Sequence, residues 1–265
     1  MTTAMSPVVS VEDLRRAYRA ALAGEFRHPN HRTPIPADPG SSGWEPGSAE
    51  QVVLVVGACG GAGASTVALG LATCAGEARL VECCTVSASG LAGASTAEMG
   101  VTSHGWVQGT RDTVLIERRS DRVLSFAAMP APAPTDRRLT VVDCPGDVDV
   151  LLATSGWLGE LARTVSSVVV VSRPSAPGLH RLEAVVGLLG AARVHGVLVG
   201  TPRRWPRQLD HYQGPLCRQL RAESRLVLVP HDARLALEGL TPDSLPVSLL
   251  AAISPVFEGL RGTLR

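Results

Sequence analysis

Short, unbroken aliphatic runs alternate with longer segments of helical period through most of the chain. The runs are VVLVV at 52–56, ARLVE at 78–82, LTVVD at 139–143, SVVVV at 167–171, GVLVG at 196–200 and RLVLV at 225–229. Strands that are apolar on both faces belong to a parallel sheet covered by helices on both sides. The intervening pattern predicts helices at about 64–76, 153–165, 177–193, 206–222 and 245–263. Strand and helix in this rhythm make a three-layer, doubly wound α/β fold with a mostly parallel sheet. Pro255 is expected to interrupt the last helix, whose polar face is poor in basic residues before Arg261 and Arg265. That composition predicts a helix docked on the domain rather than a membrane-seeking tail. The stretch 101–138 is less regular: residues 113–117 and 122–127 are expected to form a β-hairpin, and PAPAP at 130–134 a loop.

The N-terminal part follows a different pattern. Residues 10–26 (SVEDLRRAYRAALAGEF) predict a short amphipathic helix, with Ser10 as its cap and Val11, Leu14, Tyr18, Leu22 and Phe26 on or near one face. A Pro, Gly and Ser-rich stretch follows, so the expected organisation is a helical segment at 1–26, a linker at 27–50 and an α/β domain at 51–265. A short helix on such a tether is unstable alone in water and must dock, on its own domain or on a protein partner.

Composition narrows the function. The chain has 265 residues and is 45% hydrophobic but only 3% aromatic, so aliphatic packing must build the core. A net charge of +1 argues against nucleic-acid binding by bulk charge. All 25 basic residues are arginine, so no mechanism can call on an ammonium side chain. No apolar run approaches a membrane span, and the start of the chain lacks the pattern of a signal peptide. Six cysteines in a chain of this length do not form a disulfide framework, and a reducing, cytoplasmic location is expected.

In a doubly wound sheet, ligands bind at the carboxyl ends of the strands. There the first aliphatic run leads into Gly57, Ala58, Cys59, Gly60, Gly61, Ala62, Gly63, Ala64, Ser65 and Thr66, and then a helix. Glycines let a backbone turn its N–H groups toward an anion, and the helix N-terminus adds its positive end. Ser65 stands where a hydroxyl would ligand Mg²⁺. The alternative is a glycine turn that merely packs a helix onto a strand.

These residues resemble the deviant Walker A loop of the ParA/MinD-type ATPases and their pilus-associated relatives CpaE and TadZ. That loop reads KGGxGK followed by Ser or Thr. Cys59 falls on its signature lysine and Ala64 on its phosphate-loop lysine, a pattern most similar to the CpaE/TadZ branch. The resemblance covers about 51–246. LVECCTVSASG at 80–90 is similar to the segment where two aspartates flank one residue; Glu82 fits the first and Cys84 replaces the second. VVDCPGDVD at 141–149 is similar to the switch II segment, with Asp143 on the metal-side aspartate. Gly200 stands where an adenine-reading Asn is usual, and SRPSAPGL at 172–179 and LVPHDARLALEGLTPDSLP at 228–246 resemble further segments of the family. The resemblance implies ATP or ADP with Mg²⁺, bound by residues 57 and 59–66 with Ser65 and Asp143 on the metal. Glu82, Arg173 and Arg204 are expected accessories; with Arg203, the two arginines lie at strand ends where they could replace a lysine.

Loss of both lysines, one acid and the base-reading Asn removes the charge that stabilises a transferring phosphoryl group. The expected function is a non-catalytic or very slow switch or adaptor that positions another machine in partition, division or pilus assembly, with a protein partner, a homodimer, and recruitment by that partner to a membrane or polar site. The alternatives are an active ATPase with arginine replacing lysine, and a nucleotide-free scaffold. Cys59, Cys83, Cys84 and Cys144 also fall at strand ends but lack CxxC spacing, and RRWPR at 203–207 reads as a loop and helix start.

Overall fold

A computed structural model describes residues 10–23, 43–84, 86–123, 125–202 and 205–263. The chain divides into two compact units, Met1–Ile35 and Pro36–Arg265. In the first, α1 spans Val11–Leu22. Val11, Leu14 and Tyr18, three residues of the expected apolar stripe, are more than half exposed. Phe26, the last residue of that stripe, lies outside the described residues.

The second unit is built on β1 (Gln51–Gly57), α2 (Ala64–Ala75), β2 (Ala78–Glu82), β3 (Ala97–Val101), β4 (Trp106–Arg111), β5 (Val114–Arg119) and β6 (Leu139–Cys144). It continues with α3 (Val148–Ala153), α4 (Trp157–Thr164), β7 (Val168–Ser172), α5 (Ala176–Leu189), β8 (Val194–Thr201), α6 (Pro215–Ala222), β9 (Leu226–Pro230), α7 (Ala233–Glu238) and α8 (Val247–Thr263). The nine strands form one sheet in the order β3-β4-β5-β2-β6-β1-β7-β8-β9. All neighbours are parallel except β3 with β4 and β4 with β5. Valine-rich β1 and β7 are buried on both sides, as β-branched residues pack well on a pleated surface covered twice. α2 and α8 cover one face through Leu69, Leu71 and Ile253; Trp157, Leu158, Leu179 and Leu220 cover the other. The two helices of the first layer meet at Gly70, where a Cβ would lie 2.6 Å from Ile253.

Several expected boundaries move. The hairpin is β4–β5, turning at Asp112, whose φ of +51° an aspartate tolerates, and β3 extends it. Among the described residues of 122–127 there is no strand: Arg119 binds Asp121 through Nε at 2.9 Å, and a short 3₁₀ turn lies at Phe126–Ala128. The helix expected at 153–165 starts later, as α4 after Gly156 with φ +93°, and α3 precedes it. The segment expected at 206–222 is a 3₁₀ turn, Arg207–Tyr212, followed by α6. α7 is additional. Pro255 lies within α8 without ending it, and Ile253, Val256 and Leu260 are buried there.

The residues just before β1, expected to close a linker, are packed. Trp44 meets Trp157 edge to face with centroids 5.3 Å apart. Glu50 pairs with the buried Arg79 of β2 at 2.8 Å. Arg79 also donates to Thr140 on β6 at 3.0 Å, lies 3.5 Å from Glu117 on β5, and stacks over Trp44. Arg79, Glu50 and Glu117 therefore each have an opposite charge close by, the condition under which burial is tolerated.

Candidate functional site

At the opposite end of the same strands, β1 ends in Gly57 and the chain enters the glycine-rich loop. Ala58 N–H donates to Val171 of β7 at 2.8 Å, which ties the loop's start to the sheet. Gly61 and Gly63 have φ of +66° and +95°, a region that favours glycine. Gly63 also abuts Val199: an added Cβ would stand 3.2 Å from it. α2 then starts at Ala64 with no side-chain cap, so the N–H groups of its first turn have no side-chain acceptor.

A cavity of about 610 Å³ runs along this loop. Gly57, Cys59, Gly60, Gly61, Ala62, Gly63, Ala64, Ser65 and Thr66, all the loop positions singled out from sequence, line it. The far wall includes Val199, Gly200, Val229 and Leu235, with His231 and Asp232 at the end of β9. Gly200 has φ +90° at a β-bulge, and space for a Cβ is open there. The wall where a base-reading amide was sought is therefore bare backbone. Arg173, the arginine among the described residues that line the cavity, donates from Nε to the Gly61 carbonyl at 3.1 Å. The expected accessory Arg204, with Arg203, lies outside the described residues.

Glu82 and Asp143 are register partners on β2 and β6, both almost wholly buried. Glu82 accepts from the Ser89 hydroxyl at 2.6 Å, the Gly90 N–H at 2.7 Å and the Leu91 N–H at 3.0 Å. Burial raises its pKa despite these bonds and the Arg118 charge. Neither carboxylate oxygen of Asp143 has a hydrogen-bond partner of normal geometry among the described residues. Burial pushes Asp143 up to about 7; the neighbouring Ser65 hydroxyl opposes the rise and the Glu82 charge adds to it.

The loop's backbone and cavity fit the phosphates of a nucleotide. Ser65 and Asp143 are the chemically suitable donors for Mg²⁺, and Asp143 has two oxygens to give. The Gly90 backbone packs closely against Ser65, where an added Cβ would come within 2.8 Å of both its Cβ and its hydroxyl oxygen, and both residues line the cavity.

Cys83, Cys84 and Cys144 at the strand ends are buried. Burial raises the Cys83 and Cys84 thiols and takes Cys144 up to about 12, so all three stay protonated. Among the described residues no group of three His, Cys, Asp or Glu is placed to hold a metal. Trp205 is also engaged: its indole N–H donates to Asp210 at 2.7 Å, and Arg221 lies 4.4 Å over its ring. Sequence reasoning missed Gly90 and the Ser89–Leu91 turn; the one available signal was a small residue eight positions after Glu82.

No protein-family model and no curated protein sequence matches the chain. Solved structures do. The MinC:MinD cell division complex of Aquifex aeolicus aligns at TM-score 0.52 and 11% identity, over 80% of this chain and 96% of that one. The Cyanothece McdA(D38A)–ATP complex aligns at 0.51 and 11%, over 82% and 97%. The MinD cell division protein of A. aeolicus aligns at 0.50 and 13%, over 80% and 97%. At these identities the likeness is one of architecture: the chain has the doubly wound P-loop fold of MinD and McdA.

Proposed function

We propose that this chain is a degenerate nucleotide-responsive switch or adaptor of the ParA/MinD type, on the CpaE-like side, which positions a partner machine and turns ATP over slowly or not at all. The observation that carries it is Ala64. It is the first residue of α2, lines the phosphate cavity, and presents a methyl group where the related loops carry the lysine that meets developing phosphoryl charge. ATP or ADP is the proposed ligand, on residues 57 and 59–66. The exposed face of α1 is the proposed handle for a protein partner, and partnership is a property that the MinC:MinD complex has in its own right.

A second reading, an active ATPase with arginine in the lysine's role, draws support from Arg173 on the Gly61 carbonyl. Phosphate release from ATP separates the two. Turnover equal to that of Ser65→Ala is expected for the switch; a robust rate lost in Ser65→Ala and in Arg173→Ala establishes the ATPase.

A further inference from the structure

Charge is distributed unevenly across the strand ends. Val199 and Gly200 on β8 and Val229 on β9, the wall where a base would rest, stand on one side of β1, with β7 between. Asp143 on β6 and Glu82 on β2 stand on the other side. Gly63 marks the near end of this line, since its backbone abuts Val199. Ser65 and Gly90 mark the far end of the cavity: Ser65 neighbours Asp143, and the Gly90 N–H donates to Glu82 at 2.7 Å. Adjacent strands lie about 4.8 Å apart, so β8 and β6, three spacings from each other, are separated by roughly 14 Å. A nucleotide laid along the cavity with its base on β8 and β9 therefore carries its phosphates over β1 toward the two acids, and each added phosphate comes nearer to them.

Positive charge serves only the first part of that path. The loop N–H groups and the start of α2 follow directly on β1. Arg173, just after β7, reaches the Gly61 carbonyl through Nε at 3.1 Å and Nη2 at 2.5 Å. His231 and the acid Asp232 are at the base end, after β9. On the side of β6 and β2 the cavity is lined by Ala88, Gly90 and Pro145, none of which carries a charge. Arg118, whose charge reaches Glu82, is paired with Glu98 at 2.8 Å and is not part of the lining. We infer that the cleft discriminates by phosphate number and holds a nucleoside diphosphate in preference to the triphosphate. This deepens the nucleotide reading above and rests on it. The third phosphate adds negative charge at the end where Glu82 and Asp143 already stand buried, and repulsion between charges there is weakly screened. Cys59 and Ala64 supply no cation to offset it. A divalent cation held by Ser65 and Asp143 offsets part of that charge, so the discrimination is largest without one.

The test is titration of the full chain with ADP and with ATP at about pH 8, in EDTA and again in excess MgCl₂. In EDTA the native chain should bind ADP about tenfold or more tightly than ATP, and Asp143→Asn should bring the two within about threefold. Glu82→Gln makes the same change of charge from the neighbouring strand and serves if Asp143→Asn does not fold. Arg173→Ala should weaken both ligands alike, because it lies beside the phosphates that the two share. A native chain that binds ATP as tightly as ADP in EDTA overturns the inference and leaves the nucleotide reading standing. So does binding seen only in MgCl₂, and so does a preference for ADP that survives in both Asp143→Asn and Glu82→Gln. Binding of neither nucleotide in either condition overturns the nucleotide reading, and the inference with it.

Discussion

β2 and β6 run side by side, and their two ends handle buried charge in opposite ways. At the amino end, Arg79 of β2 is surrounded by Glu50, Glu117 and the Thr140 hydroxyl of β6. At the carboxyl end, three residues further along each strand, Glu82 and Asp143 stand together, and among the described residues Asp143 has no cationic partner and no hydrogen bond of normal geometry, only the neighbouring Ser65 hydroxyl. The first arrangement is how a core accommodates charge. The second destabilises the fold, because two desolvated acids of like sign raise each other's energy. A protein retains such a site when something other than stability needs the oxygens there.

Breaking the amino end should have the largest effect. Arg79→Ala leaves Glu50 and Glu117 buried without a counter-charge and is expected to cost about 3–5 kcal/mol in urea unfolding. A loss below about 1 kcal/mol would mean that the network is dispensable and the contrast between the ends is false.

Neutralising the carboxyl end should act with the reverse sign. The Asp143 carboxyl titrates near 7 in the folded chain against 3.8 as its ordinary value, so folding favours its protonated form. Its penalty is absent below about pH 4 and grows as pH rises toward 7, with a slope of up to about 1.4 kcal/mol per pH unit. Glu82, also raised, adds in the same direction. Asp143→Asn should therefore be more stable than the native chain at pH 8 by about 1–3 kcal/mol and should flatten the decline between pH 5 and 8. Equal stability of the two proteins at pH 8 would place a neutralising partner beside Asp143.

Returning a cation to the carboxyl end sharpens the contrast further. Ala64→Lys puts an ammonium at the mouth of the phosphate cavity and should tighten ATP binding by about tenfold, or about 1.4 kcal/mol. If that variant instead unfolds, position 64 is sealed and the cavity does not extend to it. The smallest effect is expected from removing residues 1–42, none of which belongs to the charge groups at either end of β2. Trp44 must be kept, because it packs on Trp157 and Arg79. The melting temperature should stay within about 2 °C, while capture of a protein partner is lost. A larger drop would make α1 part of the domain's core.

How much of this could be read from sequence depended on how each strand is buried. β1, β2, β6, β7, β8 and β9 lie within a residue or two of their aliphatic runs because both faces are covered. β3 (AEMGV) is exposed throughout and has no such run, so it went unseen. β4 and β5 carry polar residues on a partly open face, and the apolar alternation at 122–127 competed with them. At the site, the loop, Glu82 and Asp143 were legible because backbone-binding glycines and strand-end acids occupy fixed positions along the chain. The Ser89–Leu91 turn was not, since its placement depends on hydrogen bonds and a steric fit that no local spacing encodes.

The order of strands across the sheet also has a consequence for how the chain is made. β1 sits between β6 and β7, so the apolar stretch VVLVV leaves the ribosome before either of its neighbours exists. At ordinary synthesis rates its pairing edges wait on the order of ten seconds for residues 139–172 to follow. During that interval β1 is an uncharged, valine-rich segment of the kind that pairs with copies of itself, and long-range parallel pairing is slow even once the partners arrive. Until β6 and β7 arrive, shielding of that one strand is what keeps the growing chain from pairing with its copies.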